Sequence, residues 1–279
     1  MSTLHLLDQA LALTPTPDAA PGTLAGHTHP AYWNMVGPYG GITAAVMLQA
    51  VMQQPDRLGE PLALTVNFAG ALLPGPFTVR AVAERTNRST QHWVVSLSQV
   101  DASGQRLVMT TATVVTAVRR DTWAAQDALP PRVQPASALP RADRSASGVA
   151  WLDRYDFRVV EGDIPQRWDG QEQGHSRTCM WVRDEPPRPL DAVSLAALAD
   201  VFFPRIWLRR ATRVPVGTVS MTVYFMGSTQ QLAATGSRHL LLQAQGQGFE
   251  QGFFDHCGQL WSDTGALLAT THQVVYFKA

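Results

Sequence analysis

The amino-acid sequence predicts an α+β protein in which two tandem copies of one unit each wrap an antiparallel β-sheet around a long central helix. Three observations lead to this fold class: an internal repeat, two apolar helical stretches, and four strand-like segments after each stretch. The predicted units cover residues 1–120 and 151–279. Residues 121–150 form a predicted linker that is rich in Ala, Pro and Ser and has no hydrophobic period.

The repeat consists of two pairs of similar segments. LVMTTATVV from Leu107 resembles LLATTHQVV from Leu267, which lies 160 positions later. TVNF from Thr65 resembles TVYF from Thr222, which lies 157 positions later. Because the two offsets are almost equal, the pattern indicates a duplication rather than a chance match.

Each copy opens with an apolar helical stretch. The first, residues 40–54 (GGITAAVMLQAVMQQ), is apolar on nearly all sides, which is typical of a helix enclosed by other structure. The second, residues 190–204 (LDAVSLAALADVFFP), has Asp191 as a candidate N-cap and Pro204 as a candidate end. We therefore expect two long central helices.

Segments of alternating apolar and polar residues follow each helix, as expected for strands with one buried face. They are LTVNFAG, FTVRAVAERT, HWVVSLSQV and LVMTTATVVTAV in the first copy, and TVSMTVYFMG, HLLLQAQG, FFDHCGQLW and ALLATTHQVVYF in the second. The residues between them include Gly, Pro, Asn and Asp, which favour the short turns of an antiparallel sheet.

The composition argues against several functional classes. Lys and Arg total 22, as do Asp and Glu, so no net charge attracts nucleic acid or an anionic membrane. Cys179 and Cys257 lack the spacing of a zinc site, and no run of about 18 apolar residues occurs. The N-terminus has no basic region typical of a signal peptide. We expect a cytoplasmic protein without metal, cofactor, nucleic-acid partner or membrane segment.

Short segments along the chain resemble the double-hotdog acyl-CoA thioesterase II family. They are GPYGG from Gly37, NRS from Asn87, MWVR from Met180, ALAD ending at Asp200, TVSMTVYF from Thr218, and ALLATTHQ ending at Gln273. The resemblance covers roughly residues 37–115 and 155–277 and implies a tandem double-hotdog fold, an acyl-CoA substrate and a place in lipid metabolism. It also implies that Asp200, Thr218 and Gln273 are catalytic. Ser220 and Met221 stand where the family often has an Asp-His pair.

The chemistry of the acidic and amide candidates is consistent with this implication. Burial among Leu198, Val201 and Phe202 would raise the pKa of Asp200 towards the range of a general base, whereas exposure at a helix end would leave it a surface carboxylate. Gln273 can donate and accept hydrogen bonds and so could orient a water molecule against Asp200. At an offset of 160 its counterpart in the first copy is Thr113. The alternative is an exposed strand glutamine.

The hydroxyl candidates lie on one predicted strand. Thr218, Ser220 and Thr222 are expected to share one face, because side chains alternate along a strand. A hydroxyl on that face could hold a water molecule or a thioester carbonyl, although a Thr in a strand is more often explained by its β-propensity. His272, next to Gln273, is expected on the opposite face.

Candidate substrate-binding residues lie at the start of the first helix. Gly40 and Gly41 could direct free helix N–H groups towards a thioester oxygen, or could allow close packing of helix on sheet. Trp33 and Tyr39, in the loop AYWNMVGPY, could line an acyl pocket or cap the core.

A basic cluster follows the second helix and could contact the phosphates of coenzyme A, or could be a solvated loop. Its members are Arg205, Arg209, Arg210 and Arg213.

The favoured function is hydrolysis of acyl-CoA thioesters. A hotdog hydratase or dehydratase would need an Asp–His pair near a central helix, and neither predicted helix contains His. A non-catalytic acyl-CoA or lipid-binding protein is the third interpretation. No GxSxG, P-loop, HExxH or dinucleotide-binding motif occurs. We expect a homodimer, because sheet edges of hotdog units usually pair.

Overall fold

The computed structural model describes residues 4–17 and 19–278. The first three residues of the first predicted unit, residue 18, and residue 279 at the end of the second predicted unit lie outside the described residues. The helices within the described residues are α1 Leu6–Ala10, α2 Gly40–Met52, α3 Ala192–Leu198, α4 Arg205–Arg210 and α5 Thr229–Thr235. The strands are β1 Thr14–Pro15, β2 Thr23–His27, β3 Glu60–Phe68, β4 Pro76–Thr86, β5 Thr90–Val100, β6 Arg106–Ala117, β7 Tyr155–Glu161, β8 Thr178–Asp184, β9 Val216–Phe225, β10 Leu240–Gln245, β11 Phe249–Glu250, β12 Phe253–Trp261 and β13 Leu267–Phe277.

The strands form one antiparallel sheet, as the alternating sequence segments predict. Its order is β1-β2-β4-β5-β6-β3-β9-β13-β12-β10-β8-β7, and β11 pairs with β12 outside this path. The strands before residue 118 and those after residue 154 meet where β3 pairs with β9. The sheet is therefore continuous across both sequence repeats.

Helix α2 is a core helix, as its apolar circumference predicts. Every residue from Gly41 to Leu48 is buried, and the helix ends at Met52, two residues before the predicted end. It packs against α3 and against the inner face of β4 and β5. Truncating one of its fully buried side chains, such as Leu48→Ala, would cost about 2–5 kcal/mol of folding free energy.

Helix α3 begins as predicted but is not the long helix that we expected. The carboxylate of Asp191 accepts a hydrogen bond from the N–H of Ser194 at 2.7 Å, and the Ser194 hydroxyl accepts one from the N–H of Asp191 at 3.0 Å, which completes a capping box. The helix ends at Leu198, six residues before Pro204.

The early end of α3 is explained by a competition for one carbonyl group. In a continuing helix, the carbonyl of Ala197 would accept a hydrogen bond from the N–H of Val201. Instead it accepts one from the N–H of Asp200 at 3.2 Å and another from the Tyr39 hydroxyl. Because Tyr39 is distant in sequence, this contact could not be read from the local pattern.

The centre of the sheet carries a matched pair of threonines. Thr65 and Thr222 are Cα partners across β3 and β9, and their hydroxyl oxygens lie 3.0 Å apart. The two threonines are equivalent positions of the 157-residue repeat. The two copies are therefore related here by a local two-fold arrangement.

The strand register corrects the sequence match proposed for Gln273. Leu64 pairs with Val114, and Met221, which lies 157 residues after Leu64, pairs with Gln273. The counterpart of Gln273 is therefore Val114, 159 positions earlier, and the match to Thr113 is wrong by one residue. A slip of one residue exchanges the two faces of a strand, and Thr113 is indeed exposed whereas Val114 and Gln273 are buried.

The segment predicted as a linker lies against the sheet. The indole N–H of Trp181 donates to the carbonyl of Gln134 at 2.9 Å, and Arg158 donates to the carbonyls of Ala136 and Leu139 at 3.0 Å. These contacts fix residues 134–139 beside the edge formed by β7 and β8. Among residues 4–17 and 19–278, no helix has the length and apolar character needed to cross a bilayer.

Candidate functional site

A cavity of about 850 Å³ opens beside the start of α2. The segment after α3 forms one wall, the segment before β7 forms another, and the inner faces of β9, β12 and β13 form the floor. Its lining includes Tyr39, Gly40, Arg144, Trp151, Asp200, Phe202, Phe203, Arg213, Thr218, Phe254, His256, Gln273 and Val275.

The three candidate catalytic residues meet in this cavity. The side-chain amide of Gln273 donates to the carboxylate of Asp200 at 2.8 Å, and the Thr218 hydroxyl donates to the Gln273 carbonyl oxygen at 3.4 Å. Gln273 is only 4% exposed, so it is not the surface glutamine of the alternative interpretation. The structure thus joins an acid, an amide and a hydroxyl from three separate elements in one chain of hydrogen bonds.

A β-bulge places Thr218 in this group and removes Ser220 and Thr222 from it. Val274 pairs with Ser220 and Val275 pairs with Thr218, so β9 contains one unpaired extra residue, Val219. A bulge of this kind reverses the alternation of side chains. The expectation that the three hydroxyl residues share a face is therefore wrong.

The carboxyl group of Asp200 titrates near neutrality. Burial raises the pKa of Asp200 from its usual 3.8 to about 7, and the hydrogen bond from Gln273 and the backbone N–H of Gly41 act against this rise. The positive end of the α2 dipole is next to the carboxylate and also favours its ionised form. Asp200 can therefore both accept and release a proton near pH 7.

Two glycines let α2 approach Asp200 closely. A Cβ atom on Gly40 would lie 2.7 Å from an Asp200 carboxylate oxygen, and one on Gly41 would lie 2.4 Å from the Tyr39 ring and 2.5 Å from the Ala197 carbonyl oxygen. Both glycines thus serve close packing, which was one of the two sequence interpretations. The N–H of Gly41 acts on Asp200 rather than standing free for a substrate.

The aromatic candidates separate into one that lines the cavity and one that does not. Tyr39 lines it, with its ring stacked on that of Trp151 at a centroid distance of 4.3 Å and its hydroxyl bonded to Ala197. Trp33 is not among the lining residues. We therefore do not retain Trp33 in the substrate-binding set.

The basic cluster does not act as a unit. Arg205 is fully buried, donates to the carbonyl of Phe203 and to Ser176 and Thr178, and has a pKa lowered by burial to about 9. Arg209 and Arg210 lie 3.7 and 3.9 Å from the carboxylate of Glu172. Of the four, Arg213 alone lines the cavity.

Two parts of the cavity escaped the sequence analysis. Arg144 comes from the predicted linker and Trp151 is the first residue of the second predicted unit, and neither position has a periodic signal in the sequence. His256 lies on the floor, 3% exposed, and pairs across the sheet with Gln273. The sequence could have identified His256, because the alternation of FFDHCGQLW puts Phe254, His256 and Leu260 on one face.

One group of side chains outside the cavity has the composition of a metal site. The potential ligand atoms of Asp255, Cys257 and His272 lie within 4.8 Å of one another. Cys257 and His272 are Cα partners across β12 and β13. Because His272 neighbours Gln273 on the same strand, this group is on the face of the sheet opposite the cavity.

Comparisons with known proteins agree with this fold. Residues 127–277 match a family model described as the acyl-CoA thioesterase C-terminal domain, and residues 29–117 match one described as the acyl-CoA thioesterase N-terminal domain. A search of curated proteins found no match.

Three solved structures illustrate the range of similarity. A conserved protein of unknown function with a hotdog fold from Alicyclobacillus acidocaldarius is 43% identical, with 99% of each chain covered and a TM-score of 0.90. An acyl-CoA thioesterase II from Mycobacterium marinum is 17% identical, with 98% of this chain and 96% of that chain covered and a TM-score of 0.73. The dehydratase domain of RzxB from Pseudomonas fluorescens is 12% identical, with 99% and 100% covered and a TM-score of 0.55. The last two likenesses show the fold alone.

Proposed function

Because the chain belongs to the acyl-CoA thioesterase family, we propose that it hydrolyses acyl-CoA thioesters to a free acid and coenzyme A. One observation carries the proposal: the amide of Gln273 donates to a carboxylate, Asp200, whose pKa is about 7, and both groups line a cavity. A pKa near the working pH is the property that a general base needs.

In the proposed reaction Asp200 takes a proton from a water molecule that Gln273 and Thr218 orient. The water oxygen forms a bond to the thioester carbonyl carbon, and the C=O electron pair moves to the carbonyl oxygen. When the carbonyl re-forms, the C–S bond breaks and the thiolate leaves. The proton held by Asp200 neutralises the thiolate, so that the sum is acyl-CoA and water giving acid and thiol.

The carbonyl oxygen needs hydrogen-bond donors while it carries charge. The first turn of α2 faces the cavity, and the leading N–H groups of a helix have no intrahelical acceptor. We assign the oxyanion site to this turn, where Gly40 has no side chain and so lets the helix start lie close to Asp200.

A hydratase or dehydratase is the second candidate, and one observation favours it. The sequence shows no His in either central helix, but the structure adds His256 to the cavity from β12. Asp200, however, is hydrogen-bonded to the amide of Gln273 rather than to an imidazole. This partner suits a water-activating base, so hydrolysis is preferred.

The proposed function is tested with a panel of acyl-CoA esters, from acetyl to palmitoyl, together with crotonyl-CoA. Thiol release measures hydrolysis, and loss of the enoyl absorbance without thiol release measures hydration. Saturable binding without either would indicate a binding protein. We expect thiol release, reduced by about 10²–10⁴-fold in Asp200→Asn.

The matched control is Asp101→Asn. Asp101 is in the turn between β5 and β6 and does not line the cavity, so this variant should retain the wild-type rate. If Asp200→Asn also retained it, the assignment of Asp200 as general base would be wrong.

The assembly is a further part of the proposal. β1 and β7 are the terminal strands of the sheet, and terminal strands present unpaired backbone groups. We expect a homodimer, and sedimentation equilibrium that gave only a monomer would exclude it.

A further inference from the structure

The outer face of β12 and β13 carries three side chains that could bind one metal ion: Asp255, Cys257 and His272. Cys257 and His272 are Cα partners, and Asp255 is two residues before Cys257 on β12, so all three project from the same face. None of the three is among the lining residues of the cavity, and the proposed mechanism does not use them. The expectation that the chain holds no metal rested on cysteine spacing, which cannot detect ligands that strand pairing brings together.

The distances between the three groups match a tetrahedral metal centre. A zinc ion bound at its usual distances separates a nitrogen and an oxygen ligand by about 3.4 Å, and a sulfur and an oxygen ligand by about 3.6 Å. Here Nε2 of His272 lies 3.5 Å from Oδ2 of Asp255, and Sγ of Cys257 lies 3.8 Å from the same oxygen. Ligand atoms of all three residues lie within 4.8 Å of one another, so a small rotation of the exposed His272 side chain would bring its nitrogen to the sulfur.

Neighbouring groups hold the oxygen and sulfur atoms in place. The backbone N–H groups of Gln247 and Gly248 donate to Oδ1 of Asp255 at 2.7 and 2.8 Å, which leaves Oδ2 beside Cys257 and His272. The side-chain amide of Gln247 donates to Sγ of Cys257 at 2.8 Å. Hydrogen bonds from such partners orient the ligands of a metal, and the thiolate is the form of cysteine that binds it.

The donor atoms determine the class of metal. A thiolate together with an imidazole suits Zn²⁺, whereas Mg²⁺ and Ca²⁺ prefer oxygen ligands. A thiolate and a carboxylate also carry the two negative charges that balance one Zn²⁺ ion. The side chain of His272 is 56% exposed, so an ion can reach the three groups from solvent and a water molecule can occupy the fourth position.

We propose that Asp255, Cys257 and His272 bind one Zn²⁺ ion, which joins β12 to β13 behind the cavity. His256 and Gln273 are the neighbours of Cys257 and His272 in sequence, and they line the cavity on the other face of the sheet. The ion therefore stabilises the strand pair that carries the Gln273 amide and does not touch the substrate. Zinc binding of this kind is independent of thioester hydrolysis.

The test starts from the full-length protein after treatment with a chelator. Calorimetric titration with ZnCl₂ should give one site per chain. Co²⁺, used as a spectroscopic probe of the same site, should produce a thiolate-to-metal charge-transfer band in the near ultraviolet. At a free zinc concentration about 100 times Kd, the ratio of folded to unfolded protein should rise about 100-fold, which corresponds to an increase of roughly 5–10 °C in Tm.

Substitutions connect these signals to the three ligands. Cys257→Ala should abolish the cobalt band and the zinc-dependent rise in Tm. His272→Ala should weaken zinc binding by more than about 10–100-fold, the loss typical of removing a residue that only orients a ligand. The matched controls are Cys179→Ala, which removes the other cysteine, and His92→Ala, which removes an exposed histidine from β5. The cobalt band should persist in Cys179→Ala, and zinc affinity should be unchanged in His92→Ala.

Three results would overturn the proposal. They are the absence of saturable zinc binding by the wild-type protein, a cobalt band that persists in Cys257→Ala, and equal zinc affinities of His272→Ala and His92→Ala. Circular dichroism verifies that the variants are folded, which is expected because none of the three proposed ligands is fully buried. These measurements use no substrate, so their outcome is separate from whether the protein releases thiol.

Discussion

The raised pKa of Asp200 makes the stability of the protein depend on pH in the direction opposite to that of most carboxylates. The folded protein holds the proton on this carboxyl group up to about pH 7, whereas an unfolded chain loses it near 3.8. Between these values the unfolded state binds fewer protons, so the free energy of unfolding falls as the pH rises. The destabilisation is complete above about pH 7, and Asp200→Asn removes it.

The size of the effect follows from the two pKa values. They differ by about 3, and each pK unit corresponds to about 1.36 kcal/mol, so the penalty at pH 8 is on the order of 4 kcal/mol. At pH 5, which is little more than one unit above the pKa of 3.8 in the unfolded chain, the penalty is roughly 1.5 kcal/mol. The stabilisation by Asp200→Asn should therefore be larger at pH 8 by roughly 2.5 kcal/mol. A protein of this length changes its Tm by roughly 2–4 °C per kcal/mol, which makes the difference roughly 5–10 °C.

Thermal unfolding followed by circular dichroism at pH 5 and pH 8 checks this prediction. Asp184, a buried carboxyl group whose pKa is also raised to about 7, contributes equally to wild type and variant and cancels. Asp101→Asn is the control, because the Ser103 hydroxyl lowers the pKa of Asp101 and both pH values lie above it. The change in Tm caused by Asp101→Asn should be the same at both pH values. If Asp200→Asn also shifted Tm equally at pH 5 and pH 8, Asp200 would not have the raised pKa on which the general-base argument depends.

Three further predictions concern the rate and the packing of the site. The kcat/KM for thiol release should rise with pH and level off above about 7, since only ionised Asp200 accepts a proton; a flat profile from pH 5.5 to 8 would contradict this role. Gln273→Leu should lower kcat by about 10–1000-fold and move the midpoint of that profile to higher pH, because the Gln273 hydrogen bond lowers the pKa of Asp200; an unmoved midpoint would exclude the contact. Gly41→Ala should cost about 1–3 kcal/mol in urea denaturation, because the new methyl group would collide with Tyr39 and Ala197; unchanged stability would refute the close approach.

The elements of the fold could be predicted from the sequence wherever a local pattern determined them. Helix α2 and the strands β4, β5, β6, β12 and β13 match their sequence segments to within two residues at each end. The end of α3 could not be predicted, because the group that competes for its last carbonyl is the hydroxyl of Tyr39, which is 158 residues from Ala197. The bulge at Val219 was equally hidden, since nothing in TVSMTVYF distinguishes a bulged strand from a regular one.

The candidate site could be predicted from the sequence only in part, because some of its residues lie in segments without a local pattern. Asp200 and Gln273 could be proposed from their types and positions and from the family resemblance, and the structure brings them together. Arg144 and Trp151 reach the cavity from an aperiodic segment, so no sequence pattern identified them. His256 is different, because strand alternation in FFDHCGQLW is enough to place it on the inward face of β12 beside Gln273.

The two repeats are alike in backbone and unlike in the chemistry of their equivalent positions. Strands β3 and β9 carry bulges at matching places, so Pro61 corresponds to Thr218 just as Val114 corresponds to Gln273. The first repeat therefore has no hydroxyl and no amide where the second has both. What the first repeat supplies instead is the glycine start of α2, which meets Asp200 of the second. A hydrogen-bonded site built in this way needs one part from each repeat and occurs once within the described residues, because the reverse combination would place proline and valine where the proposed mechanism requires groups that hold a water molecule.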